Sequence, residues 1–280
     1  MARLARFILE EKTDWGFVDG ESVFAVGDKA TMVDALSNSE LLAELIRVCD
    51  VGKELATARL LAPIPDPPQF LGVGLNYRDH AAESGMDIPL EPISFGFLRN
   101  SIIGEGDVIR IPDFTDQADW EAELGVVIGV GGCDIPESEA LHHVAGYTIV
   151  NDVSARDIQM AEGQWGRSKS FDSFKPMGPW VTTTDVLGDA SDLKISLWVN
   201  DELKQSSKTS ELIFSVTELV SRLSRSTTLY PGAVISTGTP HGIGVSRNPP
   251  EFLQPGDSVS IEIEGIGRLT NRVERASAIQ

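Results

Sequence analysis

The sequence predicts a mostly β fold of the α+β class, a sandwich or rolled mixed sheet, preceded by a small α+β unit. Short runs of β-branched and aromatic residues bounded by Gly, Asn and Asp turn signals outnumber the helical stretches. Strands and helices do not alternate regularly, which disfavours a doubly wound parallel sheet. The stretch Pro63-Ile64-Pro65-Asp66-Pro67-Pro68 forbids both helix and inner strand, so it marks a boundary. The expected division is a small unit over 1–62, a linker at 63–69 and a large domain over 70–280.

In the first unit, residues 4–9, 15–18 and 22–26 read as strands separated by Asp-Gly and Gly-Asp turns. Leu41, Leu42, Leu45, Ile46 and Val48 then recur at helical spacing after the start signal Asn38-Ser39. In the large domain, 70–75 is a short buried strand and 76–85 a helical turn ended by glycine. Gly72-x-Gly74 is not a dinucleotide loop, because Tyr77 stands where the third glycine belongs. Residues 108–112 precede the apolar strand 120–129, and Pro136 with Glu137 and Glu139 opens a short helix that Gly146 closes before the strand 147–152. Residues 169–180 form a lysine-bearing loop that leads into the strand 181–184. A hairpin follows, 193–199 and 202–208 about Asn200-Asp201. Residues 212–223 place Leu212, Val216, Leu219, Val220 and Leu223 on one helix face. Residues 233–236 enter the turn 237–244, rich in glycine and hydroxyls; it lacks the Gly-Lys-Ser/Thr of a P-loop and suits N–H donation to a small carboxylate. Strands 259–263 and 268–273 end the chain.

A formal net charge of -19 over 280 residues argues against nucleic acid or anionic membrane as partners, since both need a basic footprint. No run approaches eighteen apolar residues and the first seven lack the apolar core of a signal peptide, so the expected setting is cytoplasmic. Cys49 and Cys133 are the only cysteines and show no Cys-x-x-Cys spacing; a disulfide framework or zinc site is not expected, and both read as small hydrophobes.

The chemistry centres on residues 120–152. Glu121 and Glu123 are two apart in a run that continues Leu-Gly-Val-Val-Ile, so on a strand both carboxylates leave one face. Like charges side by side on a buried face are costly unless a cation lies between them, and Asp152, at the end of a neighbouring strand, completes a cage. Three carboxylates favour a hard ion: Mg²⁺, Mn²⁺ or Ca²⁺. The plain alternative is a solvated acidic face, which fits Glu262 and Glu264, where polar and apolar residues alternate strictly. His80 and Glu83 are three apart, a helical spacing that lets a carboxylate orient an imidazole as general base; a surface pair has the same spacing. Arg156 and Gln159 can hold substrate oxygens, or Arg156 can pair with an acid.

From about residue 66 onward the chain resembles the fumarylacetoacetate hydrolase family and its bacterial relatives acting on acylpyruvates and related 2-oxo diacids. The motifs are Gly-Leu-Asn-Tyr-Arg-Asp-His-Ala-Ala-Glu at 74–83, Glu-Ala-Glu at 121–123, Asn-Asp-Val-Ser-Ala-Arg-Asp-Ile-Gln at 151–159, Lys-Ser-Phe-Asp at 169–172 and Ser-Thr-Gly-Thr-Pro at 236–240. The resemblance implies a mixed β-sandwich roll, a small amino-terminal domain and a homodimer. It implies Glu121, Glu123 and Asp152 as ligands to Mg²⁺ or Mn²⁺, with His80, Glu83 and Lys169 catalytic. Arg156, Gln159, Tyr77, Gly238 and Thr239 fall at substrate-contacting positions. The activity it implies is metal-dependent hydrolysis of a carbon–carbon bond in a 2,4-dioxo acid or β-diketone. The alternatives are decarboxylation of oxaloacetate or isomerisation of an unsaturated 2-oxo diacid on the same site, or, in a different class, binding of metal and small acids without turnover. One position departs: Phe97 stands where many relatives carry a lysine, which points to a less anionic substrate unless Arg99 replaces that cation.

Overall fold

A computed structural model of the chain describes residues 2–49 and 52–276. Met1, Asp50, Val51 and 277–280, which the expected unit boundaries and the reading of the first seven residues include in part, lie outside the described residues.

The fold is the mostly β, mixed architecture the sequence predicts. A twelve-stranded sheet has a central run of Lys175–Thr183, Val144–Asn151, Ala122–Ile128, Val234–Ser236 and Phe70–Gly74 in spatial order. A five-stranded sheet orders Glu202–Lys208, Lys194–Val199, Ser258–Ile263, Gly267–Arg275 and Val108–Ile111. Most pairs are antiparallel, but Val234–Ser236 runs parallel to Phe70–Gly74, and Gly267–Arg275 parallel to Val108–Ile111. Arg3–Leu9 pairs antiparallel with Lys175–Thr183, so the large sheet continues into the first part of the chain.

The strand Ala122–Ile128 shows how packing places the acids. Ala122, Leu124, Val126 and Ile128 join Leu197, Ile261 and Leu269 of the smaller sheet in one apolar cluster. Each large aliphatic side chain buried there contributes roughly 1.5–3 kcal/mol. A one-residue slip would turn these four residues to the other buried face and the acids into the apolar cluster, so they fix the register and the odd-numbered Glu121 and Glu123 leave the opposite face. Further along that face, Val127 enters a second cluster with Val150, Met177 and Phe97. Asp152 follows Val144–Asn151 directly; its N–H donates to the Glu121 carbonyl at 2.9 Å, which brings it beside the two glutamates.

Several boundaries differ from the sequence expectation, each for a local reason. The helix expected over 212–223 begins at Val216, because Ser215 and Glu218 form a reciprocal capping box and Leu212 bridges to Tyr77 instead. Gly146 does not close a helix: Ala140–His143 ends first, and Gly146 lies in a strand where a Cβ would sit 2.4 Å from the Thr182 carbonyl oxygen. The strand expected over 181–184 starts at Lys175, ends at Thr183 and contains Pro176 and Pro179. Met32–Ser37 is a helix the apolar periodicity does not show; its signal is the capping pair Thr31 and Asp34. The hairpin at Asn200-Asp201 is as expected, both residues having positive φ of 51° and 65°. Cys133 is exposed rather than a core hydrophobe, and Cys49 is half-buried. Among the described residues no helix is long and apolar enough to cross a membrane.

Candidate active site

Glu121, Glu123 and Asp152 are all buried, and one carboxylate oxygen from each lies within 4.8 Å of the others. Neutral and cationic donors surround them unequally. Lys169 Nζ donates to Glu121 Oε2, Asp152 Oδ2 and Ser154 Oγ, each at 2.8 Å. Arg156 Nη2 donates to Glu121 Oε1 at 2.6 Å, its Nε to Asp119 Oδ2 at 2.8 Å and its Nη1 to Gln159 Oε1 at 2.9 Å. Of the two readings of Arg156, the structure has the pairing with acids, one of which belongs to the cage. Glu123 Oε2 accepts from the Ser236 hydroxyl at 2.6 Å and the Gly238 N–H at 2.9 Å, both neutral.

That asymmetry sets the electrostatics. Burial acts to raise the Glu121 pKa, but Lys169 and Arg156 outweigh it and hold the group below the usual carboxylate range. Glu123 is held above that range, first by burial and then by the charges of Asp152 and Glu121. Burial acts to lower the Lys169 pKa, and Asp152 and Glu121 together raise it past the ordinary value. A buried carboxylate with only neutral hydrogen-bond donors, facing two more acids, fits a hard divalent cation. Glu121, Glu123 and Asp152 would hold it.

His80 lies on the helix Arg78–Ser84, which Gly85 ends in the left-handed conformation. His80 Nδ1 is 3.2 Å from Glu83 Oε2. Glu83 Oε1 accepts from the Gly242 N–H at 2.9 Å, and Asp79 Oδ2 accepts from the Ser207 hydroxyl at 2.5 Å, so the helix is tied to the glycine-rich turn and a neighbouring strand. Burial acts to raise the Glu83 pKa, and hydrogen bonds from His80 and Gly242 bring it below the ordinary value. Four N–H groups in and just after the turn are directed at the protein's own acids: Gly238 to Glu123, Gly242 to Glu83, and Gly244 and Val245 to Asp119. Gly238 has φ of +100°, and a Cβ there would lie 2.8 Å from the Asn76 Cβ, so only glycine lets the turn approach the cage.

One cavity of about 350 Å³ joins these groups. His80, Glu121, Glu123, Asp152 and Lys169 line it, as do Arg156, Gln159 and Thr239. Glu83 orients His80 from behind. Tyr77 is fully buried outside the lining, and its hydroxyl pKa is raised by burial and by Glu123 and Asp79. Gly238 acts through its N–H on Glu123. Arg99 points elsewhere, pairing with Asp66 at 3.2 Å on the surface, so it does not replace a cation at position 97.

Two residues that sequence reasoning did not single out complete the cage. Lys175 is fully buried with Nζ 2.7 Å from Asp152 Oδ1, and donates to the Val153 and Phe174 carbonyls at 3.0 and 2.9 Å. Burial lowers its pKa to about 8, with Asp152 opposing. Asp119, fully buried, holds Arg156 and accepts from Gly244 and Val245. Its only sequence signal is an acid next to Trp120 at the start of an apolar strand.

Fold and site together define an enzyme of the fumarylacetoacetate hydrolase family: the family model described as fumarylacetoacetate (FAA) hydrolase C-terminal matches residues 69–274, and the chain belongs to that family. Its relatives include the mitochondrial oxaloacetate tautomerase FAHD2B of Bos taurus, 43% identical over 254 residues that cover 87% of this chain and 79% of that protein. Among solved structures, fumarylacetoacetate hydrolase from Exiguobacterium antarcticum superposes with a TM-score of 0.86 at 34% identity, covering 99% of this chain and 100% of that one. The 2-hydroxyhepta-2,4-diene-1,7-dioate isomerase from Mycobacterium marinum gives 0.81 at 33% identity, over 99% and 100%.

Proposed function

We propose that this protein moves a proton at the carbon beside the ketone of a small 2-oxo acid, interconverting keto and enol forms or shifting a double bond. The observation that carries this is the convergence of His80, Lys169 and the three carboxylates on one cavity. Glu83 takes the Nδ1 side of His80, which leaves Nε2 to accept the proton from carbon and return it to oxygen or to the next carbon. Lys169 places a positive charge where negative charge develops on the substrate oxygen. A divalent ion, Mg²⁺ or Mn²⁺, held by Glu121, Glu123 and Asp152 would supply Lewis-acid stabilisation of that charge. No atom is gained or lost in the reaction.

Tautomerase or isomerase chemistry takes precedence over the hydrolysis first expected, because a relative covering most of this chain is named an oxaloacetate tautomerase and a full-length structural neighbour an isomerase. Carbon–carbon hydrolysis is the second reading, favoured by the likeness to the Exiguobacterium antarcticum hydrolase. It needs the same base to activate a water. A homodimer in the cytoplasm is the setting we propose with either, on the family resemblance and the acidic composition.

The test is deuterium incorporation at C3 of oxaloacetate, acetylpyruvate and 2-oxohexanoate in D₂O with Mg²⁺, followed by NMR. Exchange above the buffer rate that His80→Ala abolishes supports the proposal. Release of pyruvate and acetate from acetylpyruvate without prior exchange would favour hydrolysis, and buffer rates with all three acids would refute both.

A further inference from the structure

The cavity lining has two unlike parts. At the cage the cations are already engaged: Arg156 with Asp119, Gln159 and Glu121, and Lys169 with Glu121, Asp152 and Ser154. Lys175 is buried behind Asp152 and outside the lining. At the glycine-rich turn the N–H groups of Gly238, Gly242 and Gly244 are taken by Glu123, Glu83 and Asp119, and the Thr239 hydroxyl accepts from Gln205 Nε2 at 2.9 Å. The rest of the lining is mostly apolar, with Met86, Phe95, Met160, Trp165, Ile243 and Val245 beside the hydroxyls of Ser84 and Ser246, and it contains no further cation.

The apolar part begins directly at the cage. Lys169 Nζ lies 5.7 Å from the Phe95 ring centroid, and the Trp165 ring lies edge-on to Phe95 at 5.5 Å and 79°. Trp165 is one helical turn before Lys169, whose N–H donates to the Trp165 carbonyl at 3.2 Å, so one short helix presents both the cation and the indole. Gly74 makes room for the indole: a Cβ there would stand 2.1 Å from Trp165 Cζ3.

We propose that the site selects 2-oxo monocarboxylic acids whose end remote from the carboxylate cage is uncharged and apolar, with Trp165 as the specificity-determining residue. This rests on the function proposed above. A second carboxylate at that end would exchange water for an apolar wall whose neighbouring cations are engaged, which is unfavourable for an anion. An alkyl or aryl chain gains from the same burial.

The experiment compares two inert 2-oxo acid mimics of similar size, N-propyloxamate and N-oxalylglycine, by calorimetry on the Mg²⁺-loaded protein. N-propyloxamate is expected to bind at least about tenfold tighter. In Trp165→Ala that ratio is expected to fall to about twofold, and Trp165→Phe to restore most of it. N-oxalylglycine binding as tightly or more tightly would overturn the inference and leave the proton-transfer reading standing if C3 exchange persists. A ratio unmoved in Trp165→Ala would remove Trp165 from the role. Failure of both mimics to bind, together with no C3 exchange on any 2-oxo acid, would overturn the proposed function and the inference with it.

Discussion

Phe97 and Lys175 meet behind the carboxylate cage: Lys175 Nζ lies 4.7 Å from the Phe97 ring centroid while reaching Asp152 Oδ1 at 2.7 Å. Position 97, where the family resemblance leads one to expect a lysine, is here an aromatic face against which a different lysine rests. A cation therefore remains beside the site, approaching Asp152 from the strand Lys175–Thr183. The burial of Phe97 and Lys175 together keeps that charge off the cavity surface.

Removing Lys175 should be costly. Lys175→Met leaves Asp152 Oδ1 without its ion pair, removes the side-chain donor to the Val153 carbonyl, and leaves the Phe174 carbonyl with only the Val153 N–H. Breaking a buried pair from one side typically costs about 3–5 kcal/mol, and urea unfolding of the metal-free variant should show a loss of that order. A loss under about 1 kcal/mol would mean the pair is not buried as described.

Glu123→Gln should weaken divalent-metal affinity by at least about tenfold, read by calorimetry, since it removes one anionic oxygen donor from three. In the wild type the elevated Glu123 pKa means a proton competes with the metal. Affinity should rise with pH above the ordinary carboxylate range, with proton release on binding that the glutamine variant lacks. Equal affinity and equal proton release in both proteins would exclude Glu123 as a ligand.

His80→Ala should reduce C3 exchange by about 10²–10⁴ while metal affinity stays within about twofold of wild type. Joint loss of metal binding would place His80 in the cage rather than beside it.

Glu83 gives a pH prediction with a definite sign. Its folded pKa is below the ordinary value, so its contribution to stability is present above the unfolded carboxylate pKa and is lost as pH falls through the folded one. Wild type should therefore exceed Glu83→Gln in thermal stability at neutral pH, and the difference should shrink below about pH 4. A difference that grows on acidification would contradict the assigned hydrogen bonds.

Much of the site was legible because strand geometry is periodic. Glu121 and Glu123 could be placed on one face from spacing alone, and Asp152 from its position at a strand end; burial on both faces of Ala122–Ile128 then made the cage. His80 and Glu83 followed from a helix with a clear glycine stop. What could not be read depended on chain segments brought together from afar. Lys175 looked like part of a loop because two prolines follow it, yet it starts a central strand whose partners lie at Val144–Asn151 and Arg3–Leu9. The turn at 237–244 showed its supply of N–H groups but not that Glu123, Glu83 and Asp119 would claim those of Gly238, Gly242 and Gly244. Gly72 and Gly74 fall in the short buried strand the sequence predicts, but the reason for glycine there is packing from afar: Phe95 and Phe97 crowd the first and Trp165 the second.

The most direct test of the central claim is the rate of deuterium incorporation at C3 of 2-oxohexanoate by metal-stripped protein, before and after addition of Mg²⁺ or Mn²⁺, in wild type and Asp152→Asn. A metal-dependent cage serving proton transfer predicts exchange at the buffer rate without metal, restoration by either ion in the wild type, and little restoration in the variant. Full exchange by the stripped wild-type protein, or equal restoration in Asp152→Asn, would contradict it.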